Sequence, residues 1–233
     1  MLRVFIDNCV VRNSQQVRIE LEEVQENINW GGQEFTVPIA KPKAIYPNEK
    51  FKNQNDLRAY VDSRKIPRIE RLARLKLIKL YWHHELRWEF ISKRKLKKGN
   101  VSIVNYIHEA NSPIYYSRVV ASANSKEDYQ FNFLKNLKHH RFNEWKNACG
   151  VIAGSKKERN QTLDAFHLWT AEHNWCDYFV TMDYKLISVV ENSTLKTDLN
   201  IVSPSELLKI AYCHIPIVLL ERLCNRILNH KNR

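Results

Sequence analysis

Four carboxylates, widely separated in the chain, are the residues best able to do chemistry together. Asp7 directly follows the short apolar run Leu2 to Ile6. Asp183 comes just past a second β-prone run, Tyr178 to Thr181, and Asp164 lies early in the helical pattern before it. A glutamate, Glu89 or Glu85, follows a third apolar run from Leu77 to Trp82. If these runs are strands of one parallel sheet, their C-terminal ends share an edge, where open α/β sheets build their sites. Carboxylates brought to one place cannot all stay ionised without a counter-charge. Hard divalent cations accept an oxygen-only ligand set, which favours Mg2+ or Mn2+. Such ions activate water and stabilise the charge of an in-line displacement at phosphorus.

The surrounding composition suits that chemistry. A formal charge of +12 over 233 residues predicts a polyanionic partner. Nucleic acid is favoured over a membrane, because no apolar run approaches the roughly 18 residues of a spanning helix. The opening MLRVFIDN does not read as a signal peptide, since Asp7 interrupts its apolar run. Cys9, Cys149, Cys176, Cys213 and Cys224 are scattered and form no CxxC pair, which argues against a zinc site or a disulfide framework. They read as reduced, mostly buried thiols of a cytoplasmic protein. With only 5 glycines there is no Gly-x-Gly-x-x-Gly or P-loop pattern, so dinucleotide and nucleoside triphosphate binding are disfavoured.

The elements that must position the acids follow from periodicity. Alternating strand and helix patterns predict an α/β fold, a parallel central sheet flanked by helices in a three-layer sandwich. Val17 to Ile39 alternates on both sides of Gly31-Gly32 and predicts an accessory β-hairpin, with Pro38, Pro42 and Pro47 making a loop. Segment 15–50 is then an insertion. Asn55-Asp56 caps a helix that Pro67 interrupts, and a second helical pattern leads to the Leu77–Trp82 strand. His83 to Lys98 reads as a helix ending in a basic cluster that includes Arg94 and Lys95. Region 101–120 reads as a short helix around 104–108 followed by a strand at 114–120. One long helix is expected from a Ser125 cap to a Gly150 stop. The next helix starts either at Lys156 or at Leu163, which puts Asp164 in mid-helix or in the first turn. Ile201-Val202 is the last strand, and Ser203 to Glu206 opens a helix. His139-His140 are adjacent and do not share a helix face, so they read as surface. His167 reads as a core histidine. Trp82, Trp88, Trp145, Trp169 and Trp175 read as core or groove lining.

At these residues the chain resembles the PIN-domain nucleases. The resemblance is carried by Ile6-Asp7-Asn8, Leu163-Asp164-Ala165, the run Tyr178 to Asp183 and the closing Val202 to Leu207. It covers 160–208 most closely, then 1–9. It implies that Asp7, Asp164 and Asp183 bind Mg2+ or Mn2+, with Thr181 as the hydroxyl residue beside them and Asn8 as a polar neighbour. The resemblance also implies a glutamate in the helix after the second strand, where Glu89 fits the offset better and Glu85 is the alternative. The activity the resemblance implies is RNA cleavage by a metal-dependent endoribonuclease, in many members the toxin of a bacterial toxin–antitoxin pair. Lys185, Arg94 and Lys95 are the candidate substrate contacts. RNA is the expected substrate, DNA the alternative, and an antitoxin protein or a second copy the expected protein partner. Residues 1–210 would form the nuclease domain and 211–233 a helical tail. The chain is longer than the small toxin members, through 15–50, 101–120 and the segment past 210. A module that binds RNA without cutting it is the competing expectation.

Overall fold

The computed structural model describes residues 1–14, 18–30, 32–45, 53–84, 86, 102–114 and 126–214. Its centre is β1, Leu2–Ile6, in which Val4, Phe5 and Ile6 are fully buried. A strand covered on both faces needs an unbroken apolar run rather than alternation, and this one has it. β1 leads into α1, Asn8–Asn13. A hairpin follows, β2 Arg18–Trp30 and β3 Gln33–Ile45, and then α2 Gln54–Ser63, α3 Ile66–Arg74 and β4 Ile78–Trp82. A 3-10 turn at Ser102–Tyr106 precedes β5, Ile107–Glu109. The second half carries α4 Lys126–Asn136, α5 His140–Ala148, α6 Glu158–His173, β6 Tyr178–Val180, α7 Tyr184–Glu191, β7 Asn200–Val202 and α8 over 204–214.

The main sheet has the order β5-β4-β1-β6-β7, and every pairing in it is parallel. With helices flanking the sheet, this is the expected α/β three-layer arrangement. Ile6 is in register with Val180, so the chain leaves β1 and β6 at the same height on the same edge. Phe5 and Phe179 stack across these strands with centroids 5.5 Å apart. The middle of helix α6 is buried on all sides, with every residue from Ala165 to Ala171 inside. A helix in that position needs no amphipathic stripe. Its Phe166 and Trp169 meet Phe142 of α5, and Thr170 returns its hydroxyl to the Phe166 carbonyl at 2.7 Å. His167 is buried with them, as a core histidine should be.

Several expected boundaries move. The accessory hairpin exists, but β3 runs on to Ile45 through Pro38 and Pro42 instead of ending in a loop. The two prolines are four residues apart and so have the same phase. In a two-stranded ribbon one phase points its N–H outward, where proline removes no ladder bond. The α2 cap is Asn53, whose side chain accepts from the Asp56 N–H at 2.9 Å, two residues before the expected cap. Pro67 lies in the first turn of α3, where a missing N–H costs nothing. The single long helix after Ser125 is two helices, α4 and α5, separated at 137–139. No proline or glycine marks the break. His139 adopts an extended conformation and lays its ring against Trp169 at 4.5 Å. Tertiary packing on α6 thus overrides helix propensity there. The strand beside β4 is Ile107–Glu109, and 115–120 lies outside the described residues.

Three helices end in the same hydrogen-bond pattern, with a left-handed residue just past the cap. Gly150 fills that position after α5, but Lys76 fills it after α3 and Trp175 after α6, each at φ +54. Trp175 is 82% exposed, so it is neither core nor groove lining. Left-handed geometry costs a side-chain-bearing residue about 1 kcal/mol, and here it allows α6 to turn sharply into β6.

The second half is clamped by one carboxylate. Glu172 accepts from Arg141, from Trp145 Nε1 at 2.9 Å and from the Thr197 hydroxyl at 2.7 Å. Burial pushes the Glu172 carboxyl up, but these donors outweigh it and hold it below the usual glutamate value. A depressed folded-state value means stabilisation that is complete above the unfolded glutamate value and lost as pH falls through the folded one. Glu172→Gln is expected to cost about 1–3 kcal/mol in urea unfolding at neutral pH. The deficit should shrink as the medium is acidified below the ordinary glutamate range. A deficit independent of pH would contradict the clamp.

Candidate functional site

Asp7 sits where β1 meets α1. Its N–H still donates to the Val180 carbonyl at 3.0 Å, so the residue remains in the ladder with β6. Its side chain caps α1, with Oδ1 accepting from the Asn8 N–H at 2.6 Å. Oδ2 accepts from the Thr181 hydroxyl at 2.7 Å and from the Cys9 thiol at 2.9 Å. Thr181 is the first residue after β6 and is fully buried. Its oxygen also accepts from the Asp183 N–H at 3.0 Å. One hydroxyl therefore joins the two acids that terminate adjacent strands, donating to the first and accepting from the backbone of the second.

Asp183 is exposed and caps α7, with Oδ1 accepting from the Lys185 and Leu186 N–H groups, both at 3.0 Å. Lys185 lies in the first turn of that helix. Lys157, at the start of α6, is held below the usual lysine value by the nearby Lys185.

Asp164 is half-buried in the second turn of α6, which begins at Glu158. The helix start thus falls between the two expected positions and leaves Asp164 in mid-helix. Glu158 owes its place to Gly154 N–H and Lys135 rather than to a Ser155 side-chain cap. Asp164 lies near Cys149, whose thiol is pushed up by burial first and by this carboxylate second. Among the described residues, no three Asp, Glu, His or Cys side chains come together at metal-ligand spacing. Asp7, Asp164 and Asp183 therefore do not form a ligand triplet by themselves. Glu85, Glu89, Arg94 and Lys95 lie outside the described residues. Asn8 is buried at the start of α1 and is only 4% exposed.

Two residues at this edge carry no obvious mark in the sequence. Cys9, half-buried, touches Asp7, lies 3.3 Å from the Thr181 hydroxyl and accepts from the Met182 N–H at 3.1 Å. Burial, and then the Asp7 carboxylate, raise its thiol well above the usual cysteine value. Asp62 of α2 is 1% exposed and accepts from the Tyr184 hydroxyl at 2.6 Å and the Ser205 N–H at 3.0 Å. Arg58 covers the Tyr184 ring at 4.2 Å and pairs with Glu206 at 3.5 Å. The residue after Asp183 is thus anchored inward rather than held in a solvated loop. Spacing offers no signal for Asp62, because α2 ends at Ser63 and the buried Ile66 and Ile69 belong to α3. For Cys9 the only signal is its position two residues after Asp7.

No family model matches the chain, and no curated protein is significantly similar to it. Among the described residues, no helix is long and apolar enough to cross a membrane.

The Thr181–Asp7 bond is testable as a coupling. Thr181→Val keeps the shape but removes the donor, and should lower unfolding stability by about 1–3 kcal/mol. In an Asp7→Ala background the same change should cost less, with a coupling of about 1 kcal/mol in urea unfolding. Additive effects would contradict the shared hydroxyl.

Proposed function

We propose that this chain is a cytoplasmic, Mg2+- or Mn2+-dependent ribonuclease that hydrolyses RNA phosphodiesters, acting as the toxin of a toxin–antitoxin pair. The observation that carries the reading is the pair of acids at the ends of neighbouring parallel strands, Asp7 and Asp183, joined through Thr181. A chain of net charge +12 supplies the attraction for a polyanion. The reading agrees with the resemblance of the same segments to PIN-domain nucleases.

The donor chemistry fits a hard cation. Asp7 and Asp183 offer carboxylate oxygens at the C-terminal edge of the sheet, and Asp164 and Glu89, or Glu85 in its place, are the further acids on which the proposal calls. When bound, such an ion supplies an activated water and charge stabilisation for in-line displacement at phosphorus. The chain's own residues do the positioning. Thr181 fixes one oxygen of Asp7, and the α7 cap fixes Asp183. Lys185 and Lys157 repel each other and are relieved by an anion between them, which suits a backbone phosphate. Arg94 and Lys95 extend the basic surface. An antitoxin protein is the proposed protein partner, and the tail from 211 onward is the proposed surface for it or for a second copy.

The competing reading is a module that binds RNA without cutting it, for which the net charge of +12 is sufficient. The two separate cleanly in one assay. Under the nuclease reading, Asp7→Asn and Asp183→Asn each reduce Mn2+-dependent cleavage of single-stranded RNA by at least about 100-fold, a loss of roughly 2.7 kcal/mol or more in transition-state stabilisation. Asp183→Asn keeps its fold, because asparagine caps a helix about as well as aspartate. Asp7→Asn sets an amide against one of the three donors on Asp7, so circular dichroism and urea unfolding are run beside its activity to separate loss of cleavage from loss of fold. Glu89→Gln and Glu85→Gln, run side by side, identify the remaining acid by which one loses activity. RNA binding that persists in EDTA, with no product when metal is added, supports the binding module instead.

A further inference from the structure

Among the described residues, Cys9 touches Asp7 and has no part in the proposed chemistry. The thiol lies 2.9 Å from Asp7 Oδ2, and its sulfur accepts from the Met182 N–H at 3.1 Å. It therefore bridges the end of β1 to the loop between β6 and α7. With Thr181 on the same oxygen and the Asn8 N–H on the other, three donors converge on Asp7. A carboxylate held this way has its rotamer fixed before any cation arrives. Outer donors of this kind orient metal ligands and are worth tenfold or more in affinity.

We propose that Cys9 is a positioning residue for Asp7, its S–H donating to Oδ2 while its sulfur anchors Met182. The role rests on the reading of Asp7 as a metal ligand. Cys9 itself takes no part in bond making, and a hydroxyl of similar reach can replace it. The role therefore concerns hydrogen-bond donation rather than thiol reactivity.

The test uses the full chain and two readouts. Mn2+ binding is followed by the paramagnetic resonance of the free ion in the parent, Cys9→Ala and Cys9→Ser. Cys9→Ala should weaken binding about tenfold, while Cys9→Ser, which keeps a donor, should stay within about threefold of the parent. Equal affinity for parent and Cys9→Ala overturns the proposal, as does a Cys9→Ser affinity as weak as that of Cys9→Ala. The second readout is the infrared S–H stretch of Cys9, isolated by subtracting the Cys9→Ala spectrum. Donation to a carboxylate lowers this frequency, and Asp7→Ala should raise it. A band that does not move with Asp7→Ala overturns the thiol–carboxylate contact. A band that moves in a protein that binds no Mn2+ overturns the metal reading, and with it the positioning role.

Discussion

The hydrogen bond from Thr181 to Asp7 depends on the parallel pairing of β1 with β6. Ile6 lies opposite Val180, and each strand ends there. The next residue on each strand, Asp7 and Thr181, then has a side chain at the same edge, 2.7 Å from the other. A slip of one residue would turn every side chain of β6 to the opposite face. Phe179 would leave its stack on Phe5, and Thr181 would leave Asp7. Packing of the core and geometry of the site are therefore set by a single register, and neither can change alone.

Both acids of this pair also have structural work. Asp7 caps α1 and Asp183 caps α7, so each carboxylate satisfies backbone N–H groups at a helix start. The ordinary explanation of a strand-end aspartate is correct for both. It is incomplete for Asp7, because a cap needs one oxygen and three donors converge on this carboxylate. Cap residues at adjacent strand ends also point their helix N-termini toward the same edge, where the aligned backbone dipoles favour negative charge. The neighbouring positive charges of Lys157 and Lys185 add to that preference.

The fold was legible where sequence pattern and tertiary environment agree. Leu2 to Ile6 is apolar without alternation because both its faces are covered, and its strand was readable for that reason. Ser203 and Glu206 form a reciprocal cap, the Ser203 N–H donating to the glutamate and the Glu206 N–H to the serine hydroxyl. Such a local signal survives without knowledge of the fold. The break at 137–139 was not legible, because it follows from His139 packing on Trp169, which is distant in sequence. The same holds at the site. Asp7 and Asp183 stand out through their places after apolar runs and Thr181 through the family resemblance alone, whereas Cys9 and Asp62 matter through contacts that only the folded chain creates. Trp175 was misassigned because its hydrophobic type suggested burial, while its backbone position past a helix end put it in solvent.

The central claim is that this sheet edge is a metal site, and diffraction locates an ion directly. Crystals of the full chain grown with Mn2+ and measured at the manganese absorption edge are expected to show an anomalous peak within coordination distance of both Asp7 and Asp183. The third and fourth ligands would be read from the same map. Well-ordered Asp7 and Asp183 side chains with no anomalous peak at that edge would contradict the account.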